Sequence, residues 1–348
     1  MRNNKIIVIL GPTSSGKSEI AIRLAKKLAL SKIEGSKDAE IISADSRQIY
    51  RGMDIGTGKI VRDFSVPSSK LKAQSSKLNI YWSDGIPHYM IDIINPNTDY
   101  NVAKFKKQAE KIIEDILKRG KLPIICGGTG FWIKAIVDNV DFPAVKSNKV
   151  LRNQLSNKSA EALFKMLRKL DPKRAETIDK KNKVRLVRAI EIAKSLDHVP
   201  NIKYQILNTK YHFLQIGIDV PKEKLRKNIQ KRLETRFKQG MIKEVKKLRE
   251  KYKLSWKKIQ SFGLGYLWIP LYLQGKLTKQ EVFEKVYPME YPAERDNFAK
   301  RNLFHRVYLA EKDYAKRQMT WFRKDRRIKW LKSYKEIERE TRKFLTGK

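Results

Sequence analysis

The chain has 348 residues, enough for one large domain with an insertion or for two modest domains. Its 77 lysines and arginines outnumber the 37 aspartates and glutamates, for a formal charge of +40. Either most of those charges are simply solvated or they draw a polyanion such as RNA, DNA or an anionic membrane surface. One cysteine, Cys126, excludes an internal disulfide and a cysteine zinc site, and His88, His198, His212 and His305 show no metal-ligand spacing.

In chain order, Lys5–Leu10 is a short apolar run suited to a strand buried on both faces. It is too short for a secretory h-region, and no stretch approaches the ~20 apolar residues of a membrane span. A cytoplasmic protein without a membrane partner is expected. Ser18–Leu30 has a helical stripe of Ile20, Leu24 and Leu28, and Glu40–Ser43 reads as a second strand. Ser65–Lys77, rich in Ser, Lys and Gln, reads as a surface loop. His88–Ile94 is a third strand, Val102–Leu117 an amphipathic helix stopped at Arg119 and Gly120, and Leu122–Cys126 a fourth strand that takes Cys126 into the core. Residues 145–199 read as a basic helical hairpin. Phe213–Asp219 restores a strand, and Pro221 opens one long helix to about Glu250. Strands alternating with helices predict an α/β fold, a parallel sheet covered by helices. The boundaries are 1–140 and 210–348 for the core and 141–209 for a helical insertion. Nothing calls for an obligate oligomer, so a monomer is expected.

Gly11, Pro12, Thr13, Ser14, Ser15, Gly16, Lys17 and Ser18 satisfy G-x-x-x-x-G-K-[ST] between a buried strand and a helix. The glycines let the backbone curl so that successive N–H groups point at phosphate oxygens, and the helix start adds its positive dipole end. Lys17 supplies a mobile charge and Ser18 a hydroxyl for Mg²⁺. The pattern says polyphosphate, not whose phosphate. A carboxylate just beyond a parallel strand faces the same crevice, so Asp45 suits a proton acceptor, a magnesium ligand or a helix cap.

Several blocks then occur in a fixed order: the phosphate loop, residues 45–57 (Asp45, Ser46, Gln48, Tyr50, Gly52 to Thr57), Pro87 and His88 with Asp92, and Gly127–Gly130. Arg185–Glu191 and Ala315–Arg323 complete the series, which spans residues 11–323. In this the chain resembles the tRNA dimethylallyltransferases, also called tRNA isopentenyltransferases, of bacterial type. The resemblance implies a P-loop NTPase-like core and transfer of a dimethylallyl group from dimethylallyl diphosphate to N6 of the adenosine 3′ of the anticodon. It implies that Thr13 to Ser18 hold the diphosphate and that Asp45 is the general base. By the same resemblance Ser46, Arg47 and Gln48 contact the extruded adenosine, Thr129 touches the reacting centre, and Arg185 and Arg188 lie near diphosphate and tRNA. Arg152, Gln260 and Gly263 align with tRNA-contacting positions, although Gly263, Leu264 and Gly265 depart from the usual Gly-Tyr-basic pattern there. Trp256, Phe262, Tyr266, Trp321, Phe322 and Trp330 are either stacking platforms for unpaired bases or core. Segments 61–86 and 287–305 are longer than the family's norm. An adenylate isopentenyltransferase would not need the helical insertion and basic C-terminal region. A small-molecule P-loop kinase would leave the 45–57 block unexplained.

Overall fold

A computed structural model of the chain describes residues 4–30, 38–64, 79–196, 209–277 and 298–347, with side chains from residue 302 in the last segment. The expected loop at Ser65–Lys77, His198 and most of segment 287–305 lie outside the described residues. The chain divides into two compact units, Met1–Ile136 with Lys210–Lys348, and Val137–Thr209.

The first unit begins with β1 (Lys5–Leu10), α1 (Lys17–Leu30), β2 (Ala39–Ser43), β3 (Tyr81–Ser83), β4 (Ile86–Tyr89), α2 (Val102–Lys118), β5 (Leu122–Gly127) and α3 (Gly130–Val137). The second unit holds α4 (Lys149–Ser156), α5 (Ala160–Leu170), α6 (Pro172–Thr177) and α7 (Lys183–Ser195). The first unit resumes with β6 (His212–Ile218), α8 (Lys222–Lys238), α9 (Met241–Glu250), α10 (Trp256–Gln260), α11 (Gly265–Leu273), α12 (Phe298–Phe322), β7 (Lys329–Leu331) and α13 (Tyr334–Thr346).

The strands form one sheet in the order β3-β4-β2-β5-β1-β6-β7. Every pairing is parallel except β3 with β4. Ile6 to Leu10 are fully shielded from solvent, as a central strand covered on both faces requires. Each such side chain contributes about 1.5–3 kcal/mol of burial. Against this sheet α1 packs Ala21, Ile22, Leu24, Ala25 and Leu28, while α2 buries Phe105, Ala109, Ile112, Ile113 and Ile116 on its own apolar stripe. Parallel strands then put all their C-terminal ends, and the loops that follow them, on one edge.

The architecture matches the sequence expectation, with four local differences. The third strand stops at Tyr89 rather than Ile94, because Met90 (φ 66) and Asp92 (φ 55) turn left-handed. It is preceded by a hairpin strand, β3, joined through Asp84 and Gly85, both at positive φ as a tight two-residue turn demands. The long helix expected to run to Glu250 breaks at Gly240, whose φ of 98 no helix interior accommodates. The edge strand β7 also went unread; its three residues pair with Ile216–Ile218.

In the second unit the expected hairpin is four short helices. Asn148, Ser159, Asp171 and Asn182 each cap one by accepting a backbone N–H, from Leu151, Ala162, Arg174 and Arg185. Leu151, Leu155, Leu163, Leu167, Leu186 and Ile190 make their common core. Beside it the fully buried Glu191 accepts from Arg152 Nη2 (2.9 Å), Arg188 Nη1 (2.5 Å) and the Asn148 N–H (2.6 Å). Burial pushes this carboxyl up, but the two guanidiniums and the amide outweigh it and bring it down to about 2 from an ordinary 4.5. A depressed carboxylate stabilises the fold above its unfolded pKa and loses that contribution as pH falls through the folded one. Stability should therefore fall between pH 4.5 and 2. In Glu191→Gln the fall should be shallower, measured as the urea midpoint at stepped pH.

Candidate active site

A cavity of about 1180 Å³ opens at the C-terminal edge of the sheet. The loop after β1 forms one wall. Gly16 (φ 82) and Ser14 (φ 61) curl the chain there, and the Ser14 and Ser15 hydroxyls are buried with no hydrogen-bond partner among the described residues. Lys17 Nζ folds back onto the Pro12 carbonyl at 3.1 Å. Burial lowers the Lys17 pKa, with Arg232 and Arg236 adding to the effect, while Cys126 and Asp45 oppose it. A half-buried cation with no carboxylate bound to it among the described residues is poised for an anion.

The opposite wall comes from the turn after β2. Asp45 accepts the N–H of Arg47 on Oδ1 at 2.8 Å, and Gln48 N–H lies 3.4 Å from the same oxygen, which leaves Oδ2 for a substrate proton. The Gly-rich turn after β5 is tied to this segment. Ala44 N–H donates to the Cys126 carbonyl (2.8 Å), Thr129 N–H to the Ala44 carbonyl (3.2 Å), and Ser46 N–H to Thr129 Oγ1 (3.1 Å). A side chain at Gly127 would run into the Ala44 backbone. Cys126 makes part of the floor, and burial pushes its thiol up to about 11, so it is a protonated core residue there.

Gln318 of α12 joins both phosphate-side loops. Its Oε1 accepts the Thr13 N–H at 2.8 Å, and its Nε2 donates to the Gly128 carbonyl at 2.8 Å. Gln318→Ala leaves those two backbone groups without side-chain partners. It is expected to lower kcat/KM about 10–100-fold with the fold intact, because small misalignments in such sites carry costs of that order; steady-state kinetics alongside circular dichroism would check this.

Sequence reasoning brought Thr13 to Ser18, Asp45, Ser46, Arg47 and Gln48 to this cavity, and all line it, as does Gly263. Gly11 and Pro12 lie just behind, and Thr129 stands beside Ser46. Gln260 ends α10, half-buried, and does not line the cavity. Arg152, Arg185 and Arg188 belong to the second unit, where Arg185 is exposed and Arg188 is held by Glu191 and the Val145 carbonyl. Among the aromatics, Tyr266 and Phe322 are buried, Phe262 is buried 5.0 Å from Tyr50, and Trp321 is exposed over Gly130.

Missed in the sequence were Asn228, Arg232 and Arg236 on α8. Asn228 donates to the Ser14 carbonyl (3.2 Å), and Arg232 to Thr13 Oγ1 (3.2 Å) and the Gly58 carbonyl (3.1 Å). Burial and the neighbouring Arg236 push Arg232 down to about 10. Arg236 is paired with Glu311 at 2.6 Å. The signal was present, since 228, 232 and 236 recur one position before the apolar stripe Ile229, Leu233 and Phe237.

The profile described as IPP transferase matches residues 48–325. The chain belongs to the IPP transferase family. A tRNA dimethylallyltransferase of Pelotomaculum thermopropionicum is 36% identical, over 95% of this chain and 91% of the relative. One from Carboxydothermus hydrogenoformans is 34% identical, over 99% of this chain and 97% of the relative. Among solved structures, the full-length tRNA isopentenylpyrophosphate transferase of Bacillus halodurans superposes with a TM-score of 0.62 at 28% identity, covering 99% of this chain and 96% of that one. The cavity walls of this IPP transferase-family chain, phosphate loop and Asp45 turn, are the segments on which the resemblance was read.

Proposed function

We propose that the chain transfers a dimethylallyl group from dimethylallyl diphosphate to N6 of the adenosine next to the 3′ side of the anticodon in tRNA. The observation that carries this reading is that the phosphate loop and Asp45 face one cavity, close enough for the Asp45 charge to offset part of the lowering of the Lys17 pKa by burial. Names of relatives matched over nearly the whole chain support it, as does the charge of +40.

An exocyclic adenine amine is a weak nucleophile, and an allylic diphosphate is a good leaving group. The site therefore needs to neutralise the departing anion, accept one proton and align the partners. The loop amides of Gly16, Lys17 and Ser18, the Lys17 ammonium and Arg232 take the diphosphate, while the Thr13 N–H stays on Gln318 and keeps the loop in shape. As the bond from N6 to C1 of the prenyl group forms, the C1–O bond breaks and its electron pair leaves with the diphosphate. The N6 proton passes to Asp45 Oδ2. Gln48 and Ser46 hold the base, which must leave its stack to arrive. Thr129 fixes Ser46. Arg152, Arg185 and Arg188 contribute RNA backbone contacts from the second unit.

Mg²⁺ fits as an ion carried on the diphosphate rather than in a protein cage. Among the described residues no three His, Cys, Asp or Glu side chains cluster, and Ser18 stands at the start of α1. When bound it would add positive charge against the leaving group, with Ser18 as its protein ligand. Among the described residues no helix is long and apolar enough to cross a membrane. The reading places the protein with its substrate in the cytoplasm.

Labelled dimethylallyl diphosphate offered to tRNA, AMP or no acceptor tests the proposal. Label on tRNA alone is expected. Label on AMP but not tRNA would overturn it in favour of a free-nucleotide enzyme, and transfer of phosphate from ATP to a small molecule in favour of a kinase.

A further inference from the structure

Residues 53–58 carry no catalytic group, yet they are held more firmly than a connecting loop needs. Glu244 reaches them from the first turn of α9, itself buried. Its carboxylate accepts three successive backbone N–H groups, from Asp54 (2.7 Å), Ile55 (2.6 Å) and Gly56 (3.0 Å), and the Tyr266 hydroxyl at 2.7 Å. Successive amides turned inward make an anion-binding concavity, and here the protein fills it with its own carboxylate. The turn then closes on itself through Gly58 N–H to the Ile55 carbonyl at 2.9 Å.

Its product is one oriented acceptor. The Gly58 carbonyl receives Gln48 Nε2 at 3.4 Å and Arg232 Nη2 at 3.1 Å. On its other side Gln48 Oε1 accepts from Ser43 Oγ at 3.2 Å. The Gln48 amide is thereby fixed with nitrogen toward Gly58 and oxygen toward Ser43, leaving its second N–H and remaining lone pair for the cavity it lines. Gly58 itself sits at φ 59, and a side chain there would strike the guanidiniums of Arg232 and Arg236. A separate anchor keeps the far end of the loop in place: Lys59 Nζ donates to the Tyr50 carbonyl and Asp54 Oδ1, both at 2.7 Å, and pairs with Asp92.

We propose that Glu244 is a positioning residue for base recognition: it sets the 54–58 turn so that the Gly58 carbonyl orients the Gln48 amide toward the adenine edge. The inference rests on the transfer reading above and on Gln48 as a contact to the base. It differs from a packing role, because a packing defect would harm the enzyme whatever residue stood at 48.

A double-mutant cycle on kcat/KM for tRNA tests it. Glu244→Gln puts an NH₂ group against the three amides, and is expected to lower kcat/KM about 10–100-fold in the wild-type background. In a Gln48→Ala background, with no amide left to orient, the same change should cost about threefold or less. Equal losses in both backgrounds overturn the proposal and make Glu244 a structural residue. Should Glu244→Gln not fold, Tyr266→Phe in the same two backgrounds gives the same contrast at about 3–10-fold, and equal losses again overturn it. Turnover by the wild type tests the transfer reading and the ratio between backgrounds tests Glu244, so the two failures are distinct.

Discussion

Asp45→Asn is expected to lower kcat by about 10²–10⁴ while leaving the fold and the affinity for tRNA nearly unchanged, because it removes the proton acceptor and little else. The geometry makes this substitution informative. Asp45 Oδ1 takes the Arg47 N–H at 2.8 Å, and an asparagine oxygen makes the same bond. The turn that presents Ser46 and Gln48 therefore survives, and so does the link from Ser46 to Thr129. A residue serving only as a cap would tolerate the exchange. Single-turnover transfer with excess enzyme separates the outcomes. A slow chemical step with normal tRNA binding supports the base, and a near-normal rate removes Asp45 from the chemistry.

Lys17→Met should have a comparable effect through the leaving group. Methionine retains the stem but withdraws the one ammonium of the phosphate loop, and loss of a single preorganised charge or donor costs about 10²–10³ in rate. The loss should appear in kcat and in the KM for the prenyl diphosphate, with the KM for tRNA little altered. Lys17 also carries a pH signature. Burial lowers its pKa in the free protein, so the charged form that binds the anion declines at a pH below the ordinary lysine value of 10.5. Diphosphate affinity should fall as pH rises toward that value, and the bound anion should move the transition upward. In Lys17→Met the Lys17 share of this alkaline decline should be lost, leaving the share of Arg232, whose pKa burial and Arg236 push down to about 10, as read by inhibition with inorganic diphosphate across pH.

How much was legible depends on whether a signal was local. β1, the phosphate loop and α1 were readable because an apolar run, two glycines and an amphipathic stripe all act within a few residues. Asp45 was placed by topology, since the turn after a parallel strand can face only the crevice. The Asp84–Gly85 turn was a local signal passed over, and Gly240 another, hidden in a helical period that continues on both sides of it. Arg232, Gln318 and Glu244 belong to a different class. Their partners Thr13, Gly128 and Gly56 lie 219, 190 and 188 residues away along the chain. No spacing rule connects such pairs. Only the packing of α8, α9 and α12 against the loops does so.

Among the described residues the sheet ends on both sides in strands of three residues, β3 and β7, and the Trp82 carbonyl of β3 is already taken by the Asp63 N–H at 2.8 Å. Backbone groups on an unpaired margin are a template for another chain, and short margins give an incoming strand little length to zip against. The β7 margin also begins with a lysine. Unwanted edge-to-edge association, which a long flat margin would invite, is thus discouraged by geometry as well as by the shared positive charge of any two copies.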